Sequence, residues 1–452
     1  TKNSVSKVTI SGRTGNTIAN GVSFVSDSGS GLTVGLSDIL VTDGNVELTN
    51  LAADGALKVT GTVTATHTEG SAAPTDIIMT SEGSLTNADV LDSAGKIHLT
   101  AAGDILQQSE VKAGQEVVFQ SHTGGITVGD GTPQSGTITA GTFAGLSTQQ
   151  GNIVINGNVN AGDYVQAVTG SGSIILNGAI TGGTFVKASA TEGDVAIKGS
   201  IKSQNGDTML TASDANRVDG KGNITVDGTI TSSKDVHAVT DNGTIIIGTN
   251  QNNGTITAGK LAQLQTTNGD ILIHGLVDTQ TGAAAEAVQS GSITINGDMK
   301  AAASGDVSAI TKSGDILING TAAANAGNVT AQSGGGTITV NGSMTSNQNG
   351  DVSAMTQDGD VLINGSVTAV KGNVTAKSAN GNVTIGTAAK DGIVMAGLAS
   401  ALESVNGDVT VYGNVTGGTS VTGAATEGNV NISGSIESQN GDTMLTASDA
   451  NR

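Results

Sequence analysis

The stretch GDVLINGSVTAVKGNVTAKSANGNVTIG, residues 359–386, decides how the chain is read, because almost the same phrase stands 45 residues earlier as GDILINGTAAANAGNVTAQSGGGTITVNG, residues 314–342. Its kernel is seven residues long, G-x-[I/V]-x-[I/V/L]-x-G. It recurs as GNIVING (151–157), GSIILNG (172–178), GDVAIKG (193–199), GNITVDG (222–228), GDILIHG (269–275), GSITING (291–297), GTITVNG (336–342), GDVTVYG (407–413) and GNVNISG (428–434). Where the register is uninterrupted, the starts lie 21–23 residues apart. The wider gaps hold a loop or a degenerate copy such as GTIIIGT (243–249) or GNVTIGT (381–387).

Inside the kernel the alternation has period 2, which puts Ile153 and Ile155 on one side and Val154 and Asn156 on the other; this is a strand pattern and not a helical one. A second short apolar element follows, then a V-x-A element such as Val352-Ser353-Ala354 or Val374-Thr375-Ala376. Three short strands joined by Gly, Asn and Asp turns make one coil of about 22 residues that cannot bury its own apolar side. Stacking coils at about 4.8 Å buries a continuous core and pairs each backbone with its neighbours above and below. The expected fold is therefore all-β, a parallel β-helix or solenoid of roughly 20 coils and on the order of 100 Å in length.

Composition agrees. The 452 residues exceed the size of about 250–300 at which single cores stop growing. With 68 Gly, 2 Pro, no Trp and 1% aromatics, the chain suits a thin repeated core better than a thick irregular one. Its net charge of −20 excludes the concentrated Lys and Arg that nucleic acid or an anionic membrane needs. No apolar run approaches the roughly 20 residues of a membrane-spanning helix. The absence of Cys removes disulfides, thiolate metal sites and thiol nucleophiles.

A longer period lies above the coil. Residues 181–217 reappear as 416–452 with 29 of 37 positions identical, and GITVGDGTPQSGTITAG (125–141) resembles GTIIIGTNQNNGTITAG (243–259) and GNVTIGTAAKDGIVMAG (381–397). Residues 121–452 read as one continuous run of regular repeats. Residues 1–120 read as less regular coils, with a capping region as the alternative. The chain opens on Thr1, and its second copy of SQNGDTMLTASDANR stops at Arg452 without a polar cap, so a segment of a longer chain is expected.

Candidate positions are few. The turn after the kernel strand carries Asn156, Asn177, Asn296, Asn319, Asn341 and Asn364, which suits Asn-Gly turns and hydrogen bonding between stacked amides; a polar binding stripe is the functional alternative. Asp270, Asp315, Asp360 and Asp408 follow the kernel glycine in some coils, with Ser292, Thr337, Asn382 and Asn429 between them. Alternation doubles the distance between like charges. A calcium ion could bridge some of these oxygens, yet the G-G-x-G-x-D signature of calcium-binding β-rolls is absent, and no cofactor is expected. His67, His98, His122, His237 and His274 are isolated and read as surface histidines. Ser and Thr are too abundant for one to stand out as a nucleophile, and glycine runs such as 334–336 are turns and not phosphate loops, since no helix follows.

With the coil in place, GKIHLTAAGDI (95–105) and residues 314–342 resemble the haemagglutinin-type repeats of filamentous haemagglutinin-like adhesins, a family of exported bacterial surface proteins. The resemblance implies a right-handed β-helical shaft, export through an outer-membrane partner, and a role in adhesion, biofilm or surface coating. It implies no catalytic residues. The expectation is thus a non-enzymatic extracellular shaft that could associate end to end or sideways and meet a receptor or glycan on a host or neighbouring cell. The alternative is a β-helical polysaccharide-active enzyme or carbohydrate-binding module, for which the sparse aromatics Phe24, Phe119, Phe143, Tyr164, Phe185 and Tyr412 and the short, even coils offer little.

Overall fold

A computed structural model describes residues 18–19, 21–27, 29, 31–34, 38–72, 74–132, 135–214, 222–249, 254–389 and 391–448. The chain is an all-β parallel solenoid of about 22 residues per turn and about 18 turns, close to the coil count expected from the sequence. It divides into two units, residues 1–216 and 217–452. Every strand pairing between described residues is parallel, as between Ile293–Ile295 and Ile316–Ile318.

Each turn has three faces. The first is the kernel strand, represented by eight strands from Leu32–Val34 to Val195–Ile197 in the first unit and ten from Ile224–Val226 to Val430–Ile432 in the second. The second face follows across a corner, as in Thr321–Ala324, and the third, as in Val329–Ser333, carries the V-x-A element. The kernel strands stack without slippage. Ile271 pairs with Ile293, Ile293 with Ile316, Ile316 with Ile338, and Ile338 with Val361. All five side chains are fully buried. Burying one such side chain contributes about 1.5–3 kcal/mol, so a column of β-branched residues is the main source of cohesion within each unit.

The third face carries different core side chains in the early described coils and in the second unit. Its central inward position holds Leu48, Met79, Leu99 and Phe119 in the early coils, which are in register and fully buried. In the second unit the same column holds Ala285, Ala309, Ala331, Ala354 and Ala376, bracketed by Leu264 and Leu402. The described residues before 121 thus wind the same three-faced coil around larger side chains.

Turn length varies at the corners and on the third face, while the kernel strands stay constant. Three long corners follow the kernel strands Ile126–Val128, Ile245–Ile247 and Val383–Ile385, matching the three related segments seen in the sequence. Each is closed at its base by two glycines, Gly129 with Gly136, Gly248 with Gly254, and Gly386 with Gly392. Gly129, Gly248 and Gly386 have φ of 78°, 77° and 78°, a region that other residues adopt only with strain. A β-carbon on Gly136, Gly254 or Gly392 would also collide with the backbone of its partner.

Elsewhere the kernel glycines are fixed by proximity. A β-carbon on Gly320, Gly342 or Gly365 would collide with the carbonyl oxygen of Gly297, Gly320 or Gly342 in the coil below. Thermal unfolding followed by circular dichroism checks this: Gly342→Ala should lower the stability of the second unit by about 1–3 kcal/mol or more. Gly335→Ala, where the nearest atom is Ser313 Cα at 3.2 Å, should cost much less.

Candidate functional site

The side chains that face solvent or fill the corners are organised as ladders, and the sequence-selected asparagines form one of them. In the first unit Asn177 Nδ2 donates to Asn156 Oδ1 at 2.7 Å. In the second unit Asn319 donates to Asn296 at 2.7 Å, Asn341 to Asn319 at 2.8 Å and Asn364 to Asn341 at 3.0 Å. The lower end of this ladder is His274, whose Nδ1 lies 3.0 Å from Asn296 Nδ2. Because the amide nitrogen carries only donors, Nδ1 is the acceptor of this contact when the ring is neutral.

The aspartates form a second ladder. Asp270, Asp315, Asp360 and Asp408 each accept the backbone N–H of the next coil, from Ser292, Thr337, Asn382 and Asn429, at 2.7 Å. Between them Ser292 Oγ accepts from Asp315 N at 3.2 Å, and Asn382 Oδ1 from Asp408 N at 2.9 Å. Alternation therefore spaces the charges while Ser292 and Asn382 still supply acceptors to the backbone above them. A parallel column at the start of the third face, Asp306, Asn328, Asp351 and Asn373, does the same. Among the described residues no group of three or more His, Asp or Glu is placed to hold a metal ion.

A third ladder escaped the sequence reading. In four successive coils of the second unit the last residue of the third strand is a Ser or Thr that turns inward and bridges two coils. Thr311 Oγ1 donates to Gly291 O at 2.7 Å and accepts from Gly314 N at 3.1 Å; Ser333 Oγ donates to Gly314 O at 2.8 Å and accepts from Gly336 N at 2.8 Å. Thr356 and Ser378 continue the column on Gly336 and Gly359. The signal was a Ser or Thr three residues before most kernel glycines, as at Thr311, Ser333, Thr356 and Ser378, hidden by the abundance of both residue types.

The remaining candidates are dispersed. Of the histidines, His98 Nε2 and Lys96 Nζ both lie 2.9 Å from Glu116 Oε1, His237 Nδ1 lies 3.2 Å from Gln263, and His67 Nε2 lies 3.4 Å from Thr75 Oγ1. His122 is exposed. Three of the aromatics stack in register on the third face. The Phe143 and Tyr164 ring centroids are 5.5 Å apart, and those of Tyr164 and Phe185 are 5.2 Å apart. Their faces are turned to one another, while Phe119 is buried in the core. A shallow hollow of about 280 Å³ in the first unit is lined by Asp54, Glu82 and Thr123 among glycine and alanine. Another of about 250 Å³ in the second is lined by Gln332, Met355 and Lys377. No helix among the described residues is long and apolar enough to cross a membrane.

No protein-family model matches the chain, and no curated protein matches it.

Two tests follow from the ladders. Thr311→Val keeps the shape but strands a buried carbonyl and N–H, and should cost about 1–3 kcal/mol in a denaturant titration, whereas Thr311→Ser should be near neutral. The second concerns pH. The Lys96 ammonium, with His98, holds the Glu116 carboxyl below its usual range against the opposing effect of burial. A carboxyl lowered in the folded state stabilises above its unfolded value of about 4.3 and loses that contribution as pH falls through the folded value. Glu116→Gln should accordingly lower the melting temperature of the first unit at pH 7, and the difference should vanish in acid below the folded value.

Proposed function

We propose that this chain is part of the shaft of an extracellular bacterial surface fibre, serving adhesion, biofilm formation or surface coating and having no enzymatic role. The observation that carries this reading is the in-register propagation of the same ladders from coil to coil. Ile stacks on Ile, Asn on Asn and corner hydroxyl on corner hydroxyl. Residues are thereby committed to extending one cross-section, which is what a spacer requires. Parallel strand pairing along such a stack resists extension, and the net charge of −20 favours solubility and opposes indiscriminate lateral clumping. The resemblance of residues 95–105 and 314–342 to haemagglutinin-type repeats supports the same conclusion.

The polysaccharide-active alternative would need open aromatic faces for sugar rings and a paired acid and base. The rings of Phe143, Tyr164 and Phe185 pack against one another at 5.5 and 5.2 Å.

Beads coated with the purified chain are expected to bind bacterial or epithelial cells, or one another, well above albumin-coated beads. Incubation with acidic and neutral polysaccharides is expected to release no new reducing ends. Release of reducing ends would replace the shaft with the enzyme, and beads indistinguishable from the albumin control would remove the adhesive role.

A further inference from the structure

The amide ladder of the second unit has two unlike ends. Its four asparagines all donate in one direction, from Asn364 through Asn341 and Asn319 to Asn296, and the last donates to His274 Nδ1. At the other end, the buried Oδ1 of Asn364 has no hydrogen-bond donor. Both ends have the same cause. Gly248 occupies the corresponding corner below His274 and Gly386 the one above Asn364, so neither neighbouring coil supplies a side chain to continue the column.

We propose that protonation of His274 reverses the direction of the whole ladder. In neutral His274 the Nδ1 lone pair accepts from Asn296. A proton on Nδ1 turns this acceptor into a donor and sets two donors face to face. Two responses are open. Breaking the His274–Asn296 contact gives up a bond at a half-buried position. Turning each amide by 180° keeps every bond: Nδ1–H donates to Asn296 Oδ1, Asn296 Nδ2 to Asn319, Asn319 to Asn341, and Asn341 to the formerly orphaned Oδ1 of Asn364. Successive amides polarise one another, so a partial reversal, with two like ends meeting mid-ladder, is disfavoured relative to a complete one. The far end of the ladder then exchanges an unpaired acceptor for an unpaired donor, four coils or about 19 Å from the protonated ring.

The charged surroundings of His274 are few. Asp270 and Asp278 lie on its own coil, and Asp298 in the coil above is paired with Lys300 at 2.6 Å. Asp227, two coils below in the same column, is engaged by Thr249 N and Oγ1 at 2.8 Å.

The test is a titration of the full chain labelled with 15N-asparagine from pH 8 to pH 5, the range in which imidazoles change charge. The Asn364 side-chain amide signals are expected to shift with the same midpoint as the His274 ring protons. His274→Asn, which extends the ladder with an amide that does not titrate, should make Asn364 silent over this range. Asn319→Ser, which interrupts the column, should leave Asn296 responsive and Asn364 silent. A His274 that titrates while Asn364 stays unchanged would overturn the proposal. So would a His274 that does not titrate, or an Asn364 response that persists in His274→Asn.

Discussion

The structure depends on one constraint: the main chain of each coil pairs with the coil beneath it, so every residue lies at strand spacing, about 4.8 Å, from its counterpart in the next turn. Each position is therefore selected for compatibility with itself. Isoleucine satisfies this at Ile293, Ile316 and Ile338, where β-branched side chains nest. Asparagine satisfies it at Asn296, Asn319 and Asn341, because an amide is both donor and acceptor. Aspartate does not, and the kernel answers by placing Ser292 or Asn382 between carboxylates. At Gly320, Gly342 and Gly365 the carbonyl below leaves no space for a side chain of any kind.

Much of this was legible in the sequence, because self-compatibility is written as repetition. Period-2 alternation in GDILING identified the strand, and the spacing of kernels identified the turn. The asparagine column could be named residue by residue. What escaped were roles that depend on direction and not on identity. Thr311, Ser333, Thr356 and Ser378 looked like four among many hydroxyls, and only the inward corner shows that each ties two coils together. The aspartates were read through their charge, whereas their carboxylates also serve the backbone of the next turn. His274 looked isolated because its partner, Asn296, lies 22 residues away.

The ladders also divide labour along each turn. Kernel strands supply burial, the Asp and Asn columns satisfy exposed backbone N–H groups, and the hydroxyl corner satisfies buried ones. Cohesion of this kind acts between nearest neighbours, so the stability of each unit accumulates turn by turn and need not be lost in a single all-or-none step. The larger Leu48, Met79, Leu99 and Phe119 in the first unit give its early interfaces a different strength from the alanine-lined ones between Ala285 and Ala376 in the second.

The glycine pairs at the three long corners separate what a coil is from what it can carry. Gly386 N donates to Ile363 O at 2.7 Å on entry, and Ile393 N donates to Gly365 O at 2.9 Å after the exit, so the ladder resumes as though the intervening residues were not there. Gly129 and Gly136 achieve the same against Gln107 and Gln108. Each pair works like a grommet, keeping the wall closed at the position where the corner lengthens. For an engineer these are grafting positions, where epitopes or binding loops can be set at chosen turns of the scaffold. For evolution they are places where new surface chemistry can be tried without cost to the core.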